Sequence, residues 1–276
     1  MGKLIQYSTA ACRIDDGVAW RSTGMGYILC SESGELCVID GGTSDDAEDF
    51  LALLEAQTAG KPVVRMWIVT HPHTDHYGAL LEICSREDLA ARVEVQKIVY
   101  HFPFPEEFAD KRAAAGWECM KTILANTGAE GYKPAIGEKI SVDSLEFHIL
   151  NTPVDSTICA DSNQLSLIFT VQGAERKAMF TGDAGARNLQ MVLWRYSSGL
   201  ECDILQMPHH GLCDTGDIDF YKAAGAKTVL VPICKAGERS MKSGYYGDAV
   251  KANEYAEANA EKIYRSYEGT LEIPVK

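Results

Sequence analysis

The most constraining feature of the chain is the stretch Val63–Ile83, "VVRMWIVTHPHTDHYGALLEI". It begins with a nearly continuous apolar run rich in β-branched residues, which is typical of a strand buried on both faces of a sheet. Helically spaced apolar residues follow in "YGALLEI". A buried strand leading directly into a helix predicts an α/β protein in which helices cover sheets.

The rest of the chain repeats this alternation of strands and helices. Short apolar runs and helical segments alternate in both halves, so we expect helices outside two sheets whose inner faces pack together. The runs "MGYILC" and "ELCVIDGG" predict a hairpin across the turn "SESG", and "EKIYRSYEGTLEI" predicts a terminal hairpin. No linker or repeat interrupts the sequence, which indicates one domain over residues 1–276.

Composition restricts the class of partner. The chain has 26 Lys and Arg against 39 Asp and Glu, a formal net charge of −13, so we expect no strong nucleic-acid binding. Its nine cysteines are scattered and lack a C-x-x-C pair, which favours reduced thiols in a cytoplasmic protein. Neither a signal peptide nor a membrane-spanning run is apparent. We therefore expect a small-molecule substrate and no membrane, and the oligomeric state stays open.

Four ionisable residues follow the buried strand, namely His71, His73, Asp75 and His76. Side chains after such a strand emerge at a sheet rim, where α/β proteins place their sites. His71 and His73 alternate with Pro72 and can point the same way, while Asp75 and His76 begin the next helix and can turn back. Three imidazoles and a carboxylate at one point predict a site for borderline divalent metal ions. A glycine two residues further on, in "HYGA", is expected to let the helix approach that point.

Two later strands also end in ligand-type residues. The run "KAMFTGDAG" delivers Asp183, and "CDILQMPHHG" delivers His209 and His210. A carboxylate such as Asp183 can bridge two cations, which would give a two-metal site for hydrolysis. Cys213 lies nearby in sequence but has no base beside it, so we interpret it as a packing residue.

The pattern H-x-H-x-D-H, a Gly-Asp strand end and a strand ending in histidine together resemble the metallo-β-lactamase superfamily. The segments "THPHTDHYGAL", "NQLSLIFTV", "KAMFTGDAG", "DILQMPHHG" and "KIYRSYEGTLEI" are most similar to the lactamase-like domain of ComEC-type competence proteins. The resemblance covers most of the chain from about Gly24 onward. It implies an αββα four-layer sandwich holding two divalent metal ions, usually zinc.

The resemblance also implies a role for each candidate residue. One metal ion is bound by His71 and His73, and the other by Asp75, His76 and His210. Asp183 lies between the two ions, and His209 faces the substrate. Asp40 in "VIDGG" supports the metal ligands without binding a metal ion itself. His210 is preferred as the ligand because related enzymes carry a single histidine at its position.

The sequence departs from the superfamily at one ligand. Most members have a further histidine before the strand that corresponds to "LSLIFTV", whereas this chain reads "TICADSNQLSL". Asp161 or Asn163 can take its place, or the first metal site is weak, or it holds a metal that prefers oxygen ligands; manganese and iron are the alternatives to zinc. ComEC proteins are membrane proteins, so a role in DNA uptake does not carry over.

These features predict a metal-dependent hydrolase that uses a metal-bound hydroxide as its nucleophile. Asp75 and Asp183 are expected to position the hydroxide, and His209 to donate a hydrogen bond or a proton to the leaving group. Members with Pro-His-His-Gly resemble phosphodiesterases, so a small phosphodiester is the favoured substrate. A carboxylic ester, lactone or thioester is the first alternative. A non-catalytic, metal-stabilised binding module is the second.

Overall fold

The computed structural model describes residues 2–14, 23–102, 111–153, 162–245, 247 and 249–275. Its strands form two sheets. In chain order they are β1 (Lys3–Gln6), β2 (Gly26–Cys30), β3 (Leu36–Asp40), β4 (Val63–Ile68), β5 (Glu94–Val95), β6 (Lys97–Val99), β7 (Glu130–Tyr132), β8 (Lys139–Val142), β9 (Leu145–Asn151), β10 (Ile168–Gln172), β11 (Lys177–Phe180), β12 (Ile204–Gln206), β13 (Thr228–Val231), β14 (Lys262–Arg265) and β15 (Leu271–Ile273).

The helices lie between these strands in sequence. They are α1 (Ala10–Arg13), α2 (Ala47–Glu55), α3 (Thr74–Ser85), α4 (Glu87–Ala90), α5 (Lys111–Thr127), α6 (Ala186–Tyr196), α7 (Ile218–Ala224), α8 (Lys235–Lys242) and α9 (Ala249–Asn259). Short 3-10 turns occupy Ser44–Asp46, Ser162–Leu165, Pro208–Gly211 and Ser266–Glu268.

The first sheet has the strand order β15-β1-β2-β3-β4-β6-β7, with β5 also paired to β4. The second has the order β14-β13-β12-β11-β10-β9-β8. Strands β3, β4, β6 and β7 run parallel to one another, as do β11 to β14. Parallel neighbours place their carboxyl ends along one edge, which is where the ligand-type residues follow β4, β11 and β12.

Strand β4 shows how the layers form. Val64 and Trp67 face the helices of the first sheet, where they pack with Phe50 of α2. Met66 and Ile68 point the other way, into the apolar cluster between the two sheets. A strand buried on both faces must be apolar at nearly every position, so the continuous hydrophobic run follows from its place in the middle of the sandwich.

Three buried clusters separate four layers. One joins α2, α3 and α5 to the first sheet, one lies between the sheets, and one joins α6, α7 and α9 to the second sheet. The predicted αββα sandwich is therefore confirmed. The extent of a single domain over residues 1–276 stays a prediction.

The predicted first hairpin is present as β2 and β3, which pair antiparallel. The predicted terminal hairpin is wrong. Strand β14 pairs with β13 in the second sheet, whereas β15 pairs with β1 in the first. The 3-10 turn Ser266–Glu268 and Gly269, with φ 117°, carry the chain from one sheet to the other. Two apolar runs joined by a turn have the same local pattern in either arrangement.

Within the described part of the chain, no helix is both long and apolar enough to span a bilayer.

Candidate metal centre

The histidines after β4 lie at the edge where the two sheets meet. His71 and His76 are both fully buried, and their ring centroids are 4.0 Å apart. His73 precedes the first residue of α3, and its ring centroid lies 4.5 Å from that of His71. The extended segment and the first helical turn thus bring the three rings together, as expected from the sequence.

Asp183 lies at the centre of the cluster. Its Oδ2 atom is 3.6 Å from His71 Nε2, 3.3 Å from His76 Nε2 and 3.5 Å from His210 Nε2. The loop after β11 holds it there, and its backbone N–H donates to Ser166 Oγ at 3.0 Å. One carboxylate oxygen therefore faces imidazoles delivered by two different sheets.

Asp75 forms the other side of the cluster, with Oδ2 3.7 Å from His76 Nε2 and 3.5 Å from His210 Nε2. Two sets of possible ligand atoms result, and within each set all atoms lie within 4.8 Å of one another. The sets are His71, His76 and Asp183, and Asp75, His76 and His210. The second set coincides with one of the ligand groups implied by the resemblance.

Asp40 lies behind the cluster, at the end of β3. Its Oδ2 accepts a hydrogen bond from His76 Nδ1 at 2.8 Å, and its oxygens also accept bonds from the backbone and hydroxyl of Thr70, each at 2.8 Å. The Thr70 hydroxyl lies 3.2 Å from His71 Nδ1. These contacts hold the Nδ1 side of both rings, so Nε2 is the atom directed into the cluster.

His210 is held in the same way, since its Nδ1 donates to the carbonyl of Pro232 at 2.8 Å. Four inward atoms are buried and make no hydrogen bond within the described residues: His71 Nε2, His76 Nε2, His210 Nε2 and Asp183 Oδ1. Buried polar atoms normally have a partner, and imidazole nitrogens with carboxylate oxygens are suitable ligands for divalent metal ions. The donor set therefore fits a metal centre.

The electrostatics of the cluster favour an added positive charge. Burial lowers the pKa of His71 well below its usual value, and the neighbouring His76 lowers it further. Burial opposes the charged form of His76 as well, yet Asp183 and Asp40 hold its pKa well above the usual range. Burial also opposes the charged form of His210, but Asp183 and Asp75 outweigh this effect and raise the pKa of His210 to about 9. The buried carboxylates thus attract a cation, a role that a divalent metal ion fills.

His73 differs from the other histidines because its Nε2 atom contacts Ser162 Oγ. His73 belongs to neither of the two ligand sets, so its role as a ligand of the first metal ion stays a prediction. Ser162 and Asn163 begin the 3-10 turn that follows "TICAD". Asn163 is buried close to the cluster, whereas Asp161, the other proposed substitute ligand, lies outside the described residues.

His209 is the more exposed of the adjacent histidine pair, with a side chain 19% accessible and Nε2 4.0 Å from Asp183 Oδ2. Asn163 Nδ2 lies 3.3 Å from the same nitrogen. Cys213 Sγ lies 3.4 Å from the other ring nitrogen, Nδ1. The turn thus brings a base against Cys213 that its sequence neighbours do not supply, and the interpretation of Cys213 as a packing residue stays a prediction.

The Pro-His-His-Gly turn has an unusual backbone. His209, His210 and Gly211 have φ values of 47°, 57° and 71°, a left-handed run that side-chain-bearing residues rarely adopt. Asn253 of α9 donates from Nδ2 to the carbonyl of Gly211 at 2.8 Å and holds the turn in place. Such strain occurs mainly at functional sites, where the surrounding structure maintains it.

Gly78, the glycine in "HYGA", was expected to let α3 approach the ligand residues, but its close contact is with another segment. A Cβ atom at Gly78 would lie 2.7 Å from the backbone nitrogen of Ser44 and 2.9 Å from the backbone of Thr43. Gly78 therefore lets α3 pack against the loop after "VIDGG", not against the ligand atoms.

Sequence reasoning missed Gln206, which is fully buried in β12. Its Oε1 accepts the backbone N–H groups of Thr181 and Gly182 at 2.8 and 2.9 Å and so fixes the loop that carries Asp183. Its position as the polar residue in the apolar run "CDILQMP" was the available signal. Ser162 and Ser166 had no comparable signal, because serine is common in surface loops.

A family model described as "Metallo-beta-lactamase superfamily" matches residues 23–217, more than half of the chain. The chain belongs to the metallo-β-lactamase superfamily. Members of this superfamily typically bind divalent metal ions, and the clustered histidines and aspartates lie within the matched region. The chain is accordingly a member of a superfamily of metal-dependent hydrolases.

Solved structures support the fold. Zn²⁺-bound PqqB from Methylobacterium extorquens superposes with a TM-score of 0.61 at 10% identity, covering 99% of this chain and 100% of that one. The metallo-β-lactamase fold protein YhfI from Bacillus subtilis gives 0.57 at 13% identity and 99% of both chains. CmlA, a diiron β-hydroxylase from Streptomyces venezuelae, gives 0.59 at 11% identity, covering 99% of this chain and 54% of that one. A comparison with curated protein sequences gave no match.

Proposed function

We propose that this metallo-β-lactamase superfamily member hydrolyses a small phosphodiester with the help of two divalent metal ions. The observation that carries the proposal is that ligand atoms lie on both sides of His76, with His71 and Asp183 on one side and Asp75 and His210 on the other. Divalent metal ions bound there would lower the pKa of water to about 7 and would withdraw electron density from the phosphoryl oxygen.

The residues of the cluster can be assigned to two metal sites and to the groups that orient the ligands. His71 and His73 would hold one ion, and Asn163 or Asp161 would complete that first site. Asp75, His76 and His210 would hold the other ion. Asp183 would lie between the two. Asp40 and Thr70 orient the imidazoles, as their hydrogen bonds indicate. Zinc suits the nitrogen-rich second set, while manganese or iron would suit a first site completed by oxygen.

Two carboxylates and one histidine would act on the reacting atoms. Asp75 and Asp183 face the space between the imidazoles, so they can orient the attacking water. His209 borders the same space and is partly exposed, so it can give a proton to the leaving oxygen when the P–O bond breaks. Its contacts with Asn163 and Cys213 fix the plane of the ring.

The substrate class rests on two features. The Pro-His-His-Gly turn supports a phosphodiester through its resemblance to phosphodiesterases, including the lactamase-like domain of ComEC-type proteins. The net charge of −13 disfavours long polyanions, since two metal ions offset the field of one phosphodiester but not of many. We therefore expect a small-molecule substrate, no strong nucleic-acid or membrane partner, and a cytoplasmic setting for the scattered cysteines.

A carboxylic ester, lactone or thioester is the alternative substrate, because the same centre can polarise a carbonyl oxygen. A non-catalytic binding module is the second alternative. One feature favours the binding module: residues 162–165, which border His73, contain no histidine to complete the first metal site.

The test is a panel assay of protein supplemented with zinc or manganese. We expect turnover of bis-p-nitrophenyl phosphate or a cyclic nucleotide above that of p-nitrophenyl acetate, a lactone, a thioester and single- or double-stranded DNA at low salt. His148→Gln, a histidine of β9 that contacts Tyr196 outside the cluster, is the matched control. Activity on esters or lactones alone would select the first alternative. Full metal content without turnover of any substrate would select the second.

A further inference from the structure

A large groove crosses the helical layer outside the second sheet, between α6, α7 and α9. Its volume is about 1090 Å³. Its apolar wall consists of the partly exposed Leu193, Ile218 and Tyr255, which lie over the buried Leu189 and Phe220. Trp194 of α6 also lines it and is 72% exposed, which is unusual for a tryptophan with no covering element. An exposed tryptophan beside partly exposed apolar side chains is typical of a binding surface.

The charged residues of the groove are mostly acidic. The carboxylates of Asp214, Asp217, Asp219 and Glu254 line it, against one basic residue, Lys251. Asp219 is partly offset by an exposed ion pair with Lys222 at 2.8 Å. Helix α6 contributes no charged side chain to the lining. The groove thus combines an apolar wall and an exposed aromatic ring with a negative potential, which together favour a cation.

One end of the groove adjoins the metal centre. Asp214 follows Cys213, the residue that contacts His209. The Asp214 carboxylate accepts a hydrogen bond from the backbone N–H of Ala186 at 3.2 Å, and Gly185 leaves room for it. Ala186 is three residues beyond Asp183, so the groove begins at the rim of the centre.

Helix α6 then leads away from the centre along the groove. Ala186 and Trp194 both line it, and eight residues of α-helix span about 12 Å. A ligand whose reacting group lies at the metal centre could therefore extend past Asp214 and reach Trp194 with a tail of about that length.

We propose that this groove binds the non-reacting part of the substrate, and that this part is cationic and largely apolar, such as an alkylammonium group. The assignment to the substrate rests on the proposed phosphodiesterase function, whereas the affinity of the groove for the cation does not. The phosphoryl group lies at the metal centre, the alkyl chain lies along Ile218 and Leu193, and the ammonium lies among the carboxylates beside Trp194.

Binding is measured by calorimetric titration with three probes that share an octyl chain: octyltrimethylammonium, octyl sulfate and octyl glucoside, each below its micellar concentration. We expect the cation to bind at least 10-fold more tightly than the anion, with the neutral probe between them. Trp194→Ala should weaken binding of the cation about 2- to 5-fold, since cation–π contacts at exposed sites have that order of effect.

Charge removal gives the complementary variant. The double variant Asp217→Asn, Glu254→Gln should bind octyltrimethylammonium more weakly than the parent protein and should bind octyl glucoside equally well. Asn is as good an N-cap as Asp, so α7 keeps the cap that Asp217 provides. Glu87→Gln on α4, in the opposite helical layer, is the matched control and should change nothing. Equal or tighter binding of octyl sulfate, or variants that bind the cation like the parent, would overturn the proposal.

Kinetics then test the link to the substrate. With p-nitrophenyl phosphodiesters whose second ester group is ethyl or trimethylammonio-octyl, Trp194→Ala should raise KM for the cationic ester only, and kcat should stay unchanged. An equal KM for both esters in the parent protein would refute the substrate assignment. Absence of all phosphodiester turnover would instead refute the proposed function, while the titrations still decide whether the groove takes a cation.

Discussion

Asp40 Oδ2 lies 2.8 Å from Nδ1 of His76, and both side chains are fully buried. The same carboxylate accepts two hydrogen bonds from Thr70, and Asp40 itself has a φ of 54°. A strand end with a strained backbone therefore fixes which nitrogen of His76 enters the metal centre. Partners that orient a ligand from behind are part of how a protein sets metal affinity.

The first prediction is that Asp40→Asn lowers metal affinity about 10–100-fold, because an amide cannot accept all three hydrogen bonds made to the carboxylate. A zinc titration in competition with a chelator measures it. Asp143→Asn is the control, since Asp143 also has a positive φ, of 49°, but is exposed on a turn. Unchanged zinc affinity in a folded Asp40→Asn protein would contradict the role of Asp40.

The second prediction separates the two adjacent histidines. His210→Ala should reduce metal content, because His210 Nε2 lies 3.5 Å from both Asp75 and Asp183. His209→Ala should keep the metal and lose turnover by about 10²–10⁴-fold, the usual contribution of a general acid. Elemental analysis and phosphodiester kinetics on the same preparations measure both effects. Loss of metal from His209→Ala, with metal retained by His210→Ala, would reverse the assignment.

The third prediction concerns the contact between α5 and the histidine loop. A Cβ atom at Gly116 would lie 3.0 Å from the carbonyl of Pro72 and closer still to its ring. Gly116→Ala should therefore destabilise the protein by about 1–3 kcal/mol despite its better helix propensity, and should reduce metal content by shifting His71 and His73.

Ala115→Gly is the control for this pair, because Ala115 is exposed on the same helix. It should cost about 1 kcal/mol through helix propensity alone and leave metal content unchanged. Thermal unfolding and elemental analysis distinguish the two variants. A Gly116→Ala protein that is more stable than the parent would show that the loop can move without consequence.

The fourth prediction concerns pH and lies away from the metal centre. Glu238 of α8 contacts Lys242 at 3.0 Å, Arg265 at 2.9 Å and the hydroxyl of Tyr267 at 2.8 Å. Burial acts to raise the pKa of Glu238, but these three partners outweigh it and hold the pKa below its usual value of 4.5.

A carboxylate with a depressed pKa in the folded protein stabilises it above the unfolded pKa, and the effect is lost as pH falls through the folded pKa. Glu238→Gln should therefore be less stable than the parent at pH 7, with the difference shrinking below about pH 4. Urea unfolding at several pH values measures it, with the exposed Glu87→Gln as control. A difference that grows toward acid pH would contradict the depressed pKa.

The sequence by itself determined the fold class and the location of the cluster. The apolar run of β4 required a central strand buried on both faces, and the ends of β4, β11 and β12 carried His71, Asp183 and His210 to one edge. These conclusions hold because strand periodicity and the geometry of parallel sheets depend on local sequence and general rules.

Only the tertiary structure decided which atoms meet. Ser162 contacts His73 across 89 positions of sequence, and Cys213 contacts His209 because the left-handed turn brings them together. The last two strands separate into different sheets although their sequence is that of a hairpin. In each case the partner is chosen by packing between segments distant in sequence, and a local pattern is the same whichever distant segment packs against it.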